Sequence, residues 1–243
     1  MSDVVITGHG LITPIGNTIG EFERRMFAGD SGIKDIRGTL VAADFPVPFA
    51  GVIDDTELPS AETLGLPPEK ITKGLRYALL ATMQALCDFP GGLPLDGIIY
   101  GTPGGVFLEL VVETFRCFEP DSIPYNQTRA EALLEFIAKY LKEHGHGEFT
   151  PERLISINSA CASGIHCIGL AYQFLKTGRW KRCIVGGVAA DVCESSLMSF
   201  YLLNALTTAD VPAAEASRPF SADRSGFVKR GSSYASYGNA GVG

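Results

Sequence analysis

Positive charge is in short supply: 20 Lys and Arg stand against 27 Asp and Glu, a formal net charge of −7. That balance excludes general nucleic-acid binding, which needs a basic surface. No stretch approaches the roughly 18 consecutive apolar residues of a membrane-spanning helix. The opening Met1-Ser2-Asp3-Val4-Val5-Ile6 has no basic segment and no long apolar one behind it, so no secretory signal is expected. The six cysteines of the 243 residues therefore read as free thiols in a reducing cytoplasm rather than as a disulfide framework. No Gly-x-Ser-x-Gly elbow occurs, which disfavours an α/β-hydrolase. Cys161, His166 and Cys167 lie too close along one helical stretch to converge on an ion, and no second ligand cluster exists, so no metal site is expected. No cofactor motif and no tandem repeat is present.

What the chain does have is apolar strand-like runs alternating with helical periodicity. Hydrophobic residues make up 46% of it and charged residues 19%. Val4-Val5-Ile6-Thr7 is a short β run closed by Gly8-His9-Gly10. Residues 18–28 have helical spacing, with Phe22, Met26 and Phe27 on one side, and Gly29-Asp30-Ser31-Gly32 stops them. Residues 33–69 are irregular and proline-rich, with a short strand expected at 49–53. Helices are expected at 71–87, 129–143, 164–176 and 194–205, with further helical character at 106–117. Buried strands are expected at 97–101, before Cys161, and at 182–187. Apolar strands alternating with helices predict an α/β fold, a mixed sheet with helices on both faces. The stretch 231–243 (Gly, Ser, Ala, Tyr, Asn and Val) has no charge and no periodicity, and looks foreign to what precedes it.

The most informative segment is Ile155-Ser156-Ile157-Asn158-Ser159-Ala160-Cys161-Ala162-Ser163-Gly164. A β-branched run ends in small residues, and a long apolar helical pattern follows. A cysteine there lies on a strand-to-helix turn, where unpaired N–H groups and the positive end of the helix dipole stabilise a thiolate. Small neighbours leave room for a carbonyl. Cys167 reads as a core residue. His166 reads as a satisfied core histidine facing into the helix and is given no role.

Four segments in order carry a resemblance. They are 4–16 (Val-Val-Ile-Thr-Gly-His-Gly-Leu-Ile-Thr-Pro-Ile-Gly), the segment 158–164 around Cys161, Ile184-Val185-Gly186-Gly187-Val188-Ala189, and 216–228, which opens Ala-Ser-Arg-Pro-Phe and closes Ser-Gly-Phe-Val. Together they resemble the β-ketoacyl-[acyl-carrier-protein] synthases, the decarboxylating condensing enzymes of fatty acid and polyketide biosynthesis. The resemblance spans about 1–229 and is loosest between about 106 and 153. It implies a thiolase-like fold, of which this chain is the first of two repeated halves. It also implies that Cys161 is the nucleophile, taking an acyl group from a phosphopantetheine arm as a thioester before condensation with a malonyl group on acyl carrier protein. The Cys161 N–H would be one of two oxyanion donors. By the same resemblance Phe200 flanks the acyl pocket, Gly104, Gly105 and Phe107 belong to a glycine loop bordering the acyl channel, and Lys70, Lys73 and Arg76 present a basic face to the acidic carrier protein. A dimer, with itself or with a related subunit, is implied too. Arg218, Asp223 and Arg224 read as a structural salt-linked turn.

The sequence departs from the family at two places. The family's paired histidines, its lysine and its acidic residue lie in the second half, and His9, His144, His146 and His166 match none of them. A chain without them is expected to accept an acyl group and not to complete the decarboxylative condensation. After Phe227-Val228-Lys229 the family pattern also stops. Codons permitted for 232–242, read one base later, can spell a family-like strand, so 230–243 is expected to be a frameshift product outside the family domain. A half without its partner is further expected to expose an apolar face and to be poorly soluble or oligomeric. Two other readings stay open: a non-catalytic partner subunit or remnant, against which retention of the cysteine counts, and another thiolase-fold acyltransferase acting on coenzyme A thioesters.

Overall fold

The structure is a computed structural model and describes residues 3–64, 72–87, 94–102 and 132–240. Its centre is a five-stranded mixed sheet in the order β1-β7-β6-β4-β5. The strands are β1 (Val4–Ile12), β4 (Gly97–Gly101), β5 (Leu154–Ile157), β6 (Arg182–Ala189) and β7 (Ser232–Ala240), while β2 (Ile33–Asp35) and β3 (Phe49–Gly51) pair separately. The pairs β4–β5 and β4–β6 are parallel, and β7 runs antiparallel to both β1 and β6. The helices are α1 (Ile19–Phe27), α2 (Lys73–Cys87), α3 (Ala132–Glu143), α4 (Ser163–Lys176) and α5 (Glu194–Leu202).

Period-two alternation assigns the faces. Ile98, Tyr100, Ile184, Ala235 and Tyr237 join α2 and α3 in one core, which also takes in Leu80, Leu133, Ile137 and Leu141. Ile99, Cys183 and Val185 turn the other way and pack on Cys167, Ala171 and Leu175 of α4. Helices thus cover both faces, as the apolar strands require. A third cluster, built from Ile36, Val41, Phe45, Val47, Ala50, Leu197 and Leu206, packs the 33–51 region against α5 and the segment after it.

Three features depart from what the residue pattern suggests. First, β1 does not close at Gly8-His9-Gly10 but runs through it to Ile12. Those glycines are needed for contact, not for a turn: a Cβ on Gly8 or Gly10 would lie 1.9 Å from the carbonyl oxygen of Ala85 or Ala81 in α2. Second, the apolar side of α1 is not core. The helix buries none of its residues, and Phe27 is 83% exposed. Third, the segment 232–240 has an element, and a central one. It inserts between β1 and β6, from Ser232 opposite Ala189 to Ala240 opposite Val4. Ser233, Ala235 and Tyr237 are buried while Ser232, Tyr234 and Ser236 are half-buried. The expected helix at 106–117 lies outside the described residues, as does the start of the one expected from 129.

A buried polar cluster lies in the core between β4 and α2. The Tyr100 hydroxyl lies 2.9 Å from Thr82 Oγ1 and donates to the Ala78 carbonyl at 3.1 Å, while Thr82 Oγ1 donates to the same carbonyl at 2.8 Å. Burial pushes the Tyr100 hydroxyl well above its ordinary pKa. Tyr100→Phe leaves Thr82 satisfied by Ala78, so it should cost only about 1 kcal/mol, read as a shift in the urea midpoint at unchanged slope. The outer face of α4 is the contrasting surface, with Ile165, Ile168 and Tyr172 exposed.

Candidate active site

Strand β5 ends at Ile157 and α4 begins at Ser163, so the chain reverses direction within residues 158–162. Ala160 is the pivot, with φ +50°, a left-handed conformation that a residue with a Cβ adopts at a cost. Local hydrogen bonds hold it. Ser163 Oγ donates to the Ala160 carbonyl at 2.7 Å and accepts from the Ser159 N–H at 3.0 Å. Asn158 Oδ1 accepts from the Ala160 N–H at 3.3 Å. Ser163 is itself buried, which anchors the turn to the interior. The result is that Cys161 is exposed at the tip, immediately before the first turn of a 14-residue helix whose N-cap, Ala162, supplies no side-chain cap. The positive end of the helix dipole therefore acts on whatever stands there.

The first turn of α4 rests directly on the sheet. A Cβ on Gly101, the last residue of β4, would lie 2.9 Å from Ser163, and one on Gly164 would lie 2.6 Å from the Tyr234 hydroxyl of β7. That hydroxyl is buried with no hydrogen-bond partner among the described residues. Burial, with the Cys167 thiol adding to it, pushes Tyr234 up to about 12. Cys167 is fully buried, and burial pushes its thiol up to about 11; Cys183 is likewise pushed up to about 12, chiefly by burial. These two thiols stay protonated and inert near neutrality. Cys161 differs from them by standing in solvent at a helix end.

His166 is not a core histidine. It is exposed, and its Nδ1 lies 2.7 Å from Ser159 Oγ, across the turn that holds Cys161. A small polar residue before the cysteine and a histidine one turn into the helix were the available signals, and neither periodicity nor burial pattern distinguishes them from packing.

The other expected site residues are dispersed. Phe200, half-buried on α5, stacks edge-on with Phe227 at 5.6 Å between centroids and lies under Lys229 Nζ, 4.3 Å from its ring centre. Lys229 in turn pairs with Asp191 at 2.7 Å, and Asp191 accepts from Ser196 Oγ at 3.2 Å. The residue pattern singles out the phenylalanine and gives no sign of the lysine and aspartate that gather around it. Lys73 pairs with Asp55 at 3.3 Å. Arg76 donates to the carbonyls of Asp55, Leu58 and Pro59, so its guanidinium ties a loop to α2. Lys70, Gly104, Gly105 and Phe107 lie outside the described residues. Arg218 joins Asp223 at 2.6 Å and Glu215 at 3.5 Å; the Ser221 hydroxyl and Arg218 hold the Asp223 carboxyl below the usual range.

The likeness to known proteins matches this architecture. The family model described as "Beta-ketoacyl synthase, N-terminal domain" matches residues 1–92 and 153–233. The 3-oxoacyl-[acyl-carrier-protein] synthase 2 of Vibrio harveyi is 29% identical over 242 residues, which take in 93% of this chain and 54% of that protein. Synthase 1 of Escherichia coli K12 is 29% identical over 264 residues, 95% of this chain and 57% of its own. The chain thus spans about half the length of the curated relatives it matches. Among solved structures, a β-ketoacyl synthase from Burkholderia phymatum superposes with a TM-score of 0.77 at 22% identity, over 99% of this chain and 60% of that one. The AntDE:AntF complex, a type II polyketide acyl-carrier protein with its ketosynthase, gives 0.76 at 22% identity over 98% and 58%. These structures share the thiolase-like mixed sheet described above. With the matched segments covering both β1 and the strand–turn–helix of Cys161, the chain belongs to the β-ketoacyl synthase family and carries its N-terminal domain.

Proposed function

We propose that this chain performs the acyl-accepting half of a β-ketoacyl-[acyl-carrier-protein] synthase reaction in fatty acid or polyketide biosynthesis. The observation that carries the reading is the exposed Cys161 at the N-terminus of α4, on a turn whose pivot is left-handed at Ala160. The Cys161 thiolate attacks the carbonyl carbon of an acyl thioester, and the carrier's phosphopantetheine thiolate leaves, taking a proton. The acyl group is then held as a thioester for attack by the carbanion formed when a malonyl group loses CO₂. The helix N-terminus stabilises both the thiolate and the developing oxyanion.

The same reading gives the other residues their tasks. Phe200 flanks the acyl chain, with Gly104, Gly105 and Phe107 bordering its channel. Lys70, Lys73 and Arg76 form the face toward an acidic carrier protein; of these, Lys73 is half exposed beside Asp55. A dimer is the expected assembly, and a reducing compartment suits the free thiols. Among the described residues no helix is long and apolar enough to cross a membrane.

The test is acylation followed by intact-protein and peptide mass spectrometry. Acyl-carrier protein should add one acyl group at Cys161, and Cys161→Ala should abolish the adduct. Acyl-coenzyme A in place of the carrier protein separates the carrier-dependent enzyme from a coenzyme A acyltransferase. An adduct on another cysteine, or none with either donor, overturns the proposal.

A further inference from the structure

The hydrogen bond between Ser159 Oγ and His166 Nδ1, at 2.7 Å, closes a ring around Cys161. Ser159 lies two residues before the cysteine, and His166 lies five residues beyond it, in the first turn of α4. Two further features give that link leverage. Ala160, between Ser159 and Cys161, sits at φ +50°, a region L-residues with a Cβ disfavour, so the turn relies on its hydrogen bonds to stay there. The bonds made by Asn158 and Ser163 end on the backbone of residues 159 and 160. The Ser159–His166 bond alone among these joins the turn to the body of α4 through two side chains. The main chain of His166 is held in α4, where its backbone N–H donates to the Ala162 carbonyl at 3.1 Å.

We infer that His166 is a positioning residue for Cys161: through Ser159 it holds the 158–162 turn in the conformation that presents the thiol at the N-terminus of α4. The inference rests on the proposed nucleophilic role of Cys161 and adds to it the pair that sets the thiol's position. His166 touches no reacting atom in this scheme. Its effect passes through Ser159.

The experiment is alkylation of the whole chain with iodoacetamide, following Cys161 and a second exposed thiol, Cys87, separately by peptide mass spectrometry. Cys161 should react faster than Cys87 in the parent protein. Ser159→Ala and His166→Phe should each slow Cys161 about fivefold, the worth of one hydrogen bond, leave the Cys87 rate where it was, and lower the thermal midpoint by no more than about 4 °C. The double variant should be no slower than either single one, because both remove the same bond. Ser159→Thr, which restores the hydroxyl, should recover most of the rate lost in Ser159→Ala. If the parent Cys161 is selective and the variants do not change it, or if the two losses add, the positioning role is overturned while the acyl-accepting reading stands. If the parent Cys161 reacts no faster than Cys87, the nucleophile reading falls and the inference falls with it.

Discussion

Gly10→Ala should destabilise the protein by about 3 kcal/mol or more, the upper end of what forced overpacking costs. The added Cβ would lie 1.9 Å from the Ala81 carbonyl oxygen, 2.7 Å from its carbon and 2.8 Å from Gln84 Cβ. Two of those three atoms are helix backbone, so no rotamer change relieves the clash and α2 has to move off β1. Movement there is expensive, because Tyr77, Ala78, Leu80, Ala81 and Ala85 are all buried along α2. It would also break the Gln84 bridge, which accepts from the Leu11 N–H at 3.0 Å and donates to the Asn17 carbonyl at 2.6 Å. Gly20→Ala is the matched control. It lies in α1 with nothing within 4 Å of the new methyl, and should raise stability slightly, by about 0.5 kcal/mol, from helix propensity. Urea denaturation of the two variants checks both signs. A Gly10→Ala protein with the parent midpoint would show that β1 and α2 are not in direct backbone contact.

Asp191→Ala should cost about 3 kcal/mol, the lower end of the range for removing one partner of a buried ion pair, because both side chains keep some contact with solvent. Lys229 and Asp191 side chains are only 11% and 13% exposed, with 2.7 Å between Nζ and Oδ2. Without Asp191 the ammonium keeps the Phe200 ring beneath it, but a ring face replaces only part of a carboxylate. The pair also fastens the segment after β6 to the stretch leading into β7, so its loss acts on both. Removing the stranded charge should undo most of the damage: Asp191→Ala/Lys229→Met should be clearly more stable than Asp191→Ala alone. Equal stabilities for the single and double variants would show that the ammonium was never in need of its partner. Thermal melts of the three proteins under one buffer condition decide it.

Much of this fold could be read from residue pattern. Gly97–Gly101, and Arg182–Ala189 beyond its first residue, are apolar runs because helices cover both faces of the sheet, and a continuous apolar run flanked by glycine marks such a strand. The strand–turn–helix at Cys161 was visible because β-branched residues give way to small ones over a few positions. What was hidden has a physical reason in each case. Strand β7 carries only Ser, Tyr, Ala, Gly and Asn, so its alternation is one of size and hydroxyl position rather than of hydropathy. In β1 the glycines that suggest a turn are there to admit α2. His166 has the same spacing whether it packs inward or reaches back to Ser159, and only the geometry of the turn decides. The surroundings of Phe200 bring together residues 191, 200, 227 and 229, which no local pattern connects.

The position of β7 bears on the order in which the sheet can assemble. Strand β1 has β7 as its only sheet partner among the described strands, and the contact between Thr7 and Tyr237 closes a separation of 230 residues. As the polypeptide lengthens during synthesis, β4, β5 and β6 can come together while β1 still lacks a neighbour to pair with. Its place in the sheet is reached only after the loop-closure entropy of those 230 residues has been overcome. Such a topology folds slowly for its size. Until β7 arrives, both β1 and the open edge of β6 remain available to strands of other molecules, and the nascent chain is most vulnerable to aggregation in that interval.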